Sequence, residues 1–390
     1  MMQRRAWLRA ACGLCASMPA WAHASSELGP APLAEWSRPE RFPRPDLSSD
    51  EGGLWALMDR EETKVRRSPF LMKDPELLAY LRSVANRLAG SHAPDLRVYP
   101  VRTPFFNASM APNGMLQIWS GLLLRVDNEA QLAAVLGHEI GHYLQRHTLQ
   151  RVRDLKDKAA ASAFIGLFGL AGALGQLALA ASVQSFSRDH EREADIIGLQ
   201  LMHEAGYDLR EAWKIWDYVG LEMAAGQGGA SSERSLFASH PPSAERSEKL
   251  RQLAAACGGG LVGQEAFEQR LAPHRFSLME DELKRGQYGM SLVLLDKLLN
   301  RHPRSADLYF FRAEARRLRA AEQDRELALQ DLQMAIQLGS EPAQVHRSLG
   351  YLLQQQDSNR AGTAFATYLQ RAPDAPDAAL IKTYIQEGGN

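Results

Sequence analysis

Along most of the chain apolar residues recur three and four apart, the spacing that lines one face of an α-helix. "DPELLAYLRSVANRLAG" (74–90) reads as such a helix, with Asp74 as its N-cap and Gly90 after its last turn. "DLRVYPVRT" (95–103) and "GMLQIWSG" (114–121) read instead as strands, and "APNG" (111–114) between them is a turn signal. Long helical patterns follow from Asp127, which is placed to cap the first of them. The pattern predicts a mainly α fold with a small β-sheet.

Breaks in the pattern divide the chain. "MMQRRAWLRA" is a basic stretch, "ACGLCASMPAW" a short apolar one, and "AHA" (22–24) has the form of a signal-peptidase site. Residues 1–24 therefore read as a signal peptide cleaved near Ala24, which places the mature chain in the periplasm. "QRRAWLR" also resembles a twin-arginine export motif. Residues 25–50 hold five prolines and read as an extended leader. Residues 51–256 form the compact catalytic candidate, and "GGG" (258–260) opens a flexible linker over 257–275.

Beyond that, 276–390 reads as short helix pairs. Pro303 and Pro373 lie 70 residues apart, near two tetratricopeptide periods of about 34. "LGYLL", "GQY" and "FATYLQRAP" fit positions of that repeat, whereas 306–340 is irregular and heavily charged. A plain helical bundle is the alternative. Stacked repeats make a concave groove for a protein partner.

Composition removes some function classes. A formal net charge of -1 gives no basic excess, so no nucleic-acid partner is expected. Two of the three cysteines fall in the signal, which leaves Cys257 without an intrachain partner.

The chemistry sits in "VLGHEIGHYLQRH" (135–147). His138 and His142 are four apart, so a helix places both imidazoles on one face, as a zinc ion held by two nitrogens at about 2 Å requires. Glu139 points elsewhere and suits the role of general base toward a water at the metal. His147 lies nine residues after His138, which a continuing helix carries to the opposite face and out of the ligand set. A catalytic zinc needs a third protein ligand. "SRDHEREADIIG" (187–198) offers Glu191, with Asp195 one turn on to accept a hydrogen bond from a ligand histidine. Ala194 and Gly198 are small enough to let two helices approach closely. A solvated acidic helix face is the competing reading.

Together, "NEAQLAAVLGHEIGHYLQRH" and "SRDHEREADIIG" resemble the zinc endopeptidase family that includes HtpX and the CAAX prenyl endopeptidases. The likeness covers roughly residues 50–255. It implies a gluzincin-like fold and one zinc ion per chain, with His138, His142 and Glu191 as ligands, Glu139 as base and Asp195 behind a ligand. It also implies that Asn107 and Ala108, in "NASMAPNGMLQIWSGLL", lie on an edge strand that pairs with substrate backbone.

"FASHPPSAER" adds His240, on a turn made rigid by two prolines. Three readings stay open: oxyanion stabiliser, fourth zinc ligand that shuts the site, or structural residue. Arg246, on the following helix, would pair with an acid near the site.

The 29 residues from 159 to 187 carry no charge. One membrane crossing there would separate His142 from Glu191, and two crossings need about 20 residues each. The stretch, with Gly166, Gly169, Gly172 and Gly175, therefore predicts a mobile helix or helix pair near the site, buried or resting on a membrane surface.

The sequence thus reads as an exported zinc metalloendopeptidase acting on unfolded or misassembled protein substrates, with repeats that recruit a substrate or an outer-membrane assembly complex. By the resemblance, the substrates would be outer-membrane proteins. The alternatives are a periplasmic chaperone or assembly factor whose zinc site is latent or structural, and a scaffold whose protease domain only docks.

Overall fold

A computed structural model describes residues 36–161, 186–226, 240, 244–255 and 257–387. The signal peptide, most of the uncharged stretch 159–187 and the two prolines after His240 lie outside the described residues.

Among the described residues the molecule is mainly helical with one small sheet. Helix α1 (Asp50–Arg67) starts at Ser49, whose side chain accepts from the Gly52 N–H; acids fill its first turn and bases its last, which suits the helix dipole. Helix α2 (Pro75–Ala89) is capped by Asp74 and ends at Gly90, whose φ of 56° favours glycine. Strands β1 (Arg97–Val101), β2 (Ala108–Met110) and β3 (Met115–Trp119) form a sheet in the order β1-β3-β2. β1 runs parallel to β3, and β2 antiparallel, leaving β2 as an edge. The "APNG" turn closes on Ala111, with Gly114 at φ 92°.

Helix α3 (Ser120–Arg125) leads to α4 (Glu129–Leu144), every residue of which is buried. Its N-cap is Asn128, one residue beyond the expected Asp127; the Asn128 side chain accepts from the Gln131 N–H. α4 stops at Leu144. Arg146 takes a left-handed φ of 55°, and α5 (His147–Ala161) sets off in a new direction. α6 (Arg188–Glu204) packs along α4, followed by α7 (Ala212–Ala225) and α8 (Ala244–Ala255).

Two expected spacers are tied down. In the leader, Trp36 and Phe42 pack on the core, and Arg38 bonds the Leu88 carbonyl and Glu204. In the expected linker, Leu261 N–H donates to the Gly206 carbonyl, Asp208 N–H to that of Leu261, and Ala130 N–H to that of Val262. Helix α9 (Gln264–Lys284) begins inside the linker and buries Phe267 and Leu271. These backbone bonds oppose the freedom that three glycines suggest.

Six helices follow: α10 (Tyr288–Arg301), α11 (Ala306–Arg319), α12 (Asp324–Leu338), α13 (Gln344–Leu353), α14 (Ser358–Arg371) and α15 (Ala378–Glu387). Each packs chiefly on its sequence neighbours. The stretch 306–340 is regular, because its extra charge is absorbed in pairs. Arg312 and Arg316 bind Asp331, Arg319 binds Asp324, and Arg317 binds Glu314. One apolar core runs from α2 through α4 into these helices. Across the junction, buried Arg125 bonds Glu222 on α7 at 2.8 and 2.9 Å and Glu282 on α9 at 3.0 and 3.1 Å. No helix among the described residues is long and apolar enough to cross a membrane.

Candidate active site

Small residues let α4 and α6 nearly touch. A Cβ on Gly198 would stand 3.0 Å from the His138 nitrogen, and one on Gly141 would stand 3.1 Å from the Ala194 carbonyl oxygen. This contact brings two one-turn pairs face to face, His138 and His142 on α4, Glu191 and Asp195 on α6.

His138 Nε2 and His142 Nε2 lie 3.1 Å apart. Glu191 Oε1 is 3.4 Å from His142 Nε2, and its Oε2 is 3.6 Å from His138 Nε2. His240 joins them, with Nδ1 at 3.2 Å from His138 Nε2 and 2.8 Å from Glu191 Oε1. All four residues are buried, and their candidate ligand atoms lie within 4.8 Å of one another. Ligands held tetrahedrally about 2.0–2.1 Å from a zinc ion stand about 3.3 Å apart. The spacings found bracket that value, and three imidazoles with one carboxylate are a donor set that zinc accepts. The residues present fit a zinc ion.

Behind the donors lie their supports. His138 Nδ1 is 3.0 Å from Asp195 Oδ1. Arg246 grips Asp195 at 2.7 and 2.8 Å and reaches Glu191 Oε2 at 2.6 Å, so it pairs with two acids. Burial would raise the carboxyls of Asp195 and Glu191. Hydrogen bonds from Arg246 and His138 hold the first below its ordinary value, and those from His142 and His240 hold the second. Burial keeps His142 well below the usual imidazole range.

A continuing α4 would carry His147 to the opposite face, out of the ligand set. His147 is absent from the donor set, but it does not face away. Because the helix breaks at Arg146, His147 is fully buried, with Nδ1 2.8 Å from His142 Nδ1. Nothing in "LQRH" (144–147) signals that break, since neither glycine, asparagine nor proline stands there.

Glu139 lies between the donors and β2, with Oε1 3.4 Å from His240 Nε2. Its Oε2 accepts from the Met110 N–H at 3.3 Å, while its Oε1 makes no hydrogen bond among the described residues. Burial raises this carboxyl above its usual range, which suits a base working near neutrality. Ser109 pairs with Gln117 on β3, so the backbone groups of Ala108 and Met110 point outward. Asn107 sits just before β2, its Oδ1 buried without a hydrogen bond among the described residues. A cleft of about 240 Å³ runs between this edge and the donors, lined by Asn107, Ala108, Met110, Glu139, Arg151 and His240.

Comparison with known proteins agrees with this geometry. Residues 72–254 match the family model of Peptidase family M48. The "Beta-barrel assembly-enhancing protease" of Yersinia pestis is 32% identical, with 42% of this chain and 38% of that protein covered. Its namesake in Escherichia coli K12 is 34% identical with the same coverage. The "Mitochondrial metalloendopeptidase OMA1" of Schizosaccharomyces pombe is 31% identical, with 46% of this chain and 53% of that protein covered. The chain thus spans about two fifths to one half of the length of these relatives.

Proposed function

Residues 72–254 are a peptidase family M48 domain, and on that premise we propose that the chain is an exported zinc-dependent endopeptidase that cuts unfolded or misassembled envelope proteins. The observation that carries the reading is the convergence of His138, His142 and Glu191 beside a buried Glu139 and an open strand edge. Zinc at these donors supplies Lewis acidity, polarising the scissile carbonyl and acidifying a water. The chain's own residues do the rest. The outward backbone groups of Ala108 and the outward carbonyl of Met110 bind an extended substrate segment, which selects unfolded over folded chain. Asn107 borders the same edge. Glu139 takes the proton of the attacking water and delivers it to the leaving amine. Asp195 orients His138, and Arg246 holds Asp195 and Glu191 in place.

His240 favours a second state of the same site. Its Nδ1 stands among the donors, so it takes the fourth position and leaves the site closed at rest. The chaperone reading draws on that state, with the C-terminal helices acting as tetratricopeptide-like repeats that bind substrate or an outer-membrane assembly complex. The names of the Yersinia and Escherichia relatives support an envelope setting, as does the signal-like N-terminus.

Cleavage of an unfolded model protein by the purified chain, beside Glu139→Gln at matched zinc content, tests the reading. The wild type should cut and the variant should lose at least about a hundredfold in rate. Equal cutting by both would overturn the assignment of Glu139. If neither cuts while both hold zinc, His240→Ala should open the site, and its failure to do so would sink the peptidase reading.

A further inference from the structure

We propose that His147 and Glu193 form an orienting relay behind His142, as positioning residues for the metal site. The inference rests on the zinc reading above. His142 turns Nε2 toward the other donors, so with zinc held there the proton of its neutral ring sits on Nδ1. Nδ1 lies 2.8 Å from His147 Nδ1, which must accept. The proton of His147 is then on Nε2, which lies 3.1 Å from Glu193 Oε2 and donates to it. A single placement of protons satisfies all three residues. His138 uses Asp195 directly for the same purpose, so the two histidines are held by different devices.

The fold builds this relay from two local features. The left-handed residue Arg146 breaks the helix, and His147 at the start of α5 meets His142 near the end of α4. Glu193 sits two residues after Glu191 on α6, so one helix serves both the donor set and the relay. His147 is fully buried and its ring stacks on His190 at 4.2 Å, whereas the Glu193 side chain is 48% exposed.

The test is the zinc dissociation constant of the full chain, measured by competition with a chromophoric chelator, together with the visible spectrum of the cobalt-loaded protein. His147→Phe keeps the ring but removes the acceptor, and should weaken zinc binding by about 10–100-fold and shift the cobalt bands. His147→Gln can both accept and donate, and should stay within about threefold of wild type. Glu193→Leu should weaken binding and Glu193→Gln should not, because the amide oxygen still accepts. Glu193→Leu should add nothing to His147→Phe, since both break one chain.

Equal affinity of His147→Phe and His147→Gln, or additive losses in the double variant, would overturn the relay. If His147→Phe fails to fold, the half-exposed Glu193 decides, and equal zinc binding by its leucine and glutamine variants would overturn it. A wild-type chain that binds no zinc would overturn the metallopeptidase reading and the relay together. Zinc bound equally by wild type and every variant would overturn the relay alone.

Discussion

Gly198→Ala isolates the contact on which the donor spacing depends. The added Cβ would lie 3.0 Å from the His138 nitrogen, 3.2 Å from the Gly137 carbonyl carbon and 3.3 Å from the His138 Cα. These are backbone atoms, so no side chain can swing aside. Comfortable contact begins near 3.5 Å, so α4 and α6 must part by about 0.5 Å. Overpacking of this kind costs about 1–3 kcal/mol, offset by about 1 kcal/mol of helix propensity gained by alanine. The metal-free protein should therefore lose only about 0–2 kcal/mol. Zinc binding should suffer more sharply. Glu191 travels with α6 while His138 and His142 stay on α4, and donor distances tolerate only about 0.2 Å. We expect affinity to fall on the order of tenfold, about 1.4 kcal/mol. Thermal melts of the metal-free chain and zinc titration measure the two effects separately. Gly220→Ala is the control, because its Cβ would meet nothing within 4 Å on α7. It should gain up to about 1 kcal/mol with zinc affinity unchanged. Unchanged zinc affinity in Gly198→Ala would refute the claim that this backbone contact sets the donor spacing.

Arg125→Met should leave Glu222 and Glu282 buried without their shared cation and cost about 3–5 kcal/mol, read from urea midpoints. A loss below about 1 kcal/mol would mean that the junction between α7 and α9 is held by apolar packing alone. Acid should weaken the same junction. Burial pushes the Glu282 carboxyl up, but Arg125 and Arg285 outweigh it and hold it below its ordinary value. A folded-state value below the unfolded one stabilises the fold above about pH 4.3, and this is lost as pH falls further. Urea midpoints from pH 6 to pH 3 should show the drop, and Arg125→Met should flatten it.

Much of the candidate site was legible because its signals are local. A spacing of four residues on a helix puts His138 with His142, and Glu191 with Asp195, whatever surrounds them. The small residues Ala194 and Gly198 marked where two such faces could meet. Asp74, Gly90 and the "APNG" turn act within a few residues of themselves, and the structure has them where the pattern placed them. The cap at Asn128 instead of Asp127 is a one-residue difference between two competent capping side chains.

What stayed hidden depends on partners distant in sequence. His147 was placed by helical phase, but phase has no meaning once the helix stops at Leu144, and Arg146 gives no warning of that stop. The glycines at 258–260 and the prolines of the leader suggested freedom. That freedom is lost to the Gly206 and Leu261 carbonyls and to the seats of Trp36 and Phe42. Residues 36–49 and 257–275 are held by bonds whose other ends lie up to 194 residues away. The charges of 306–340 were visible, but not that Asp331 collects two arginines from the helix before it. Periodicity and spacing report the conformation of one segment. Which carbonyl, carboxylate or ring meets that segment is settled only when the whole core closes, because burial is what makes an unmet partner costly.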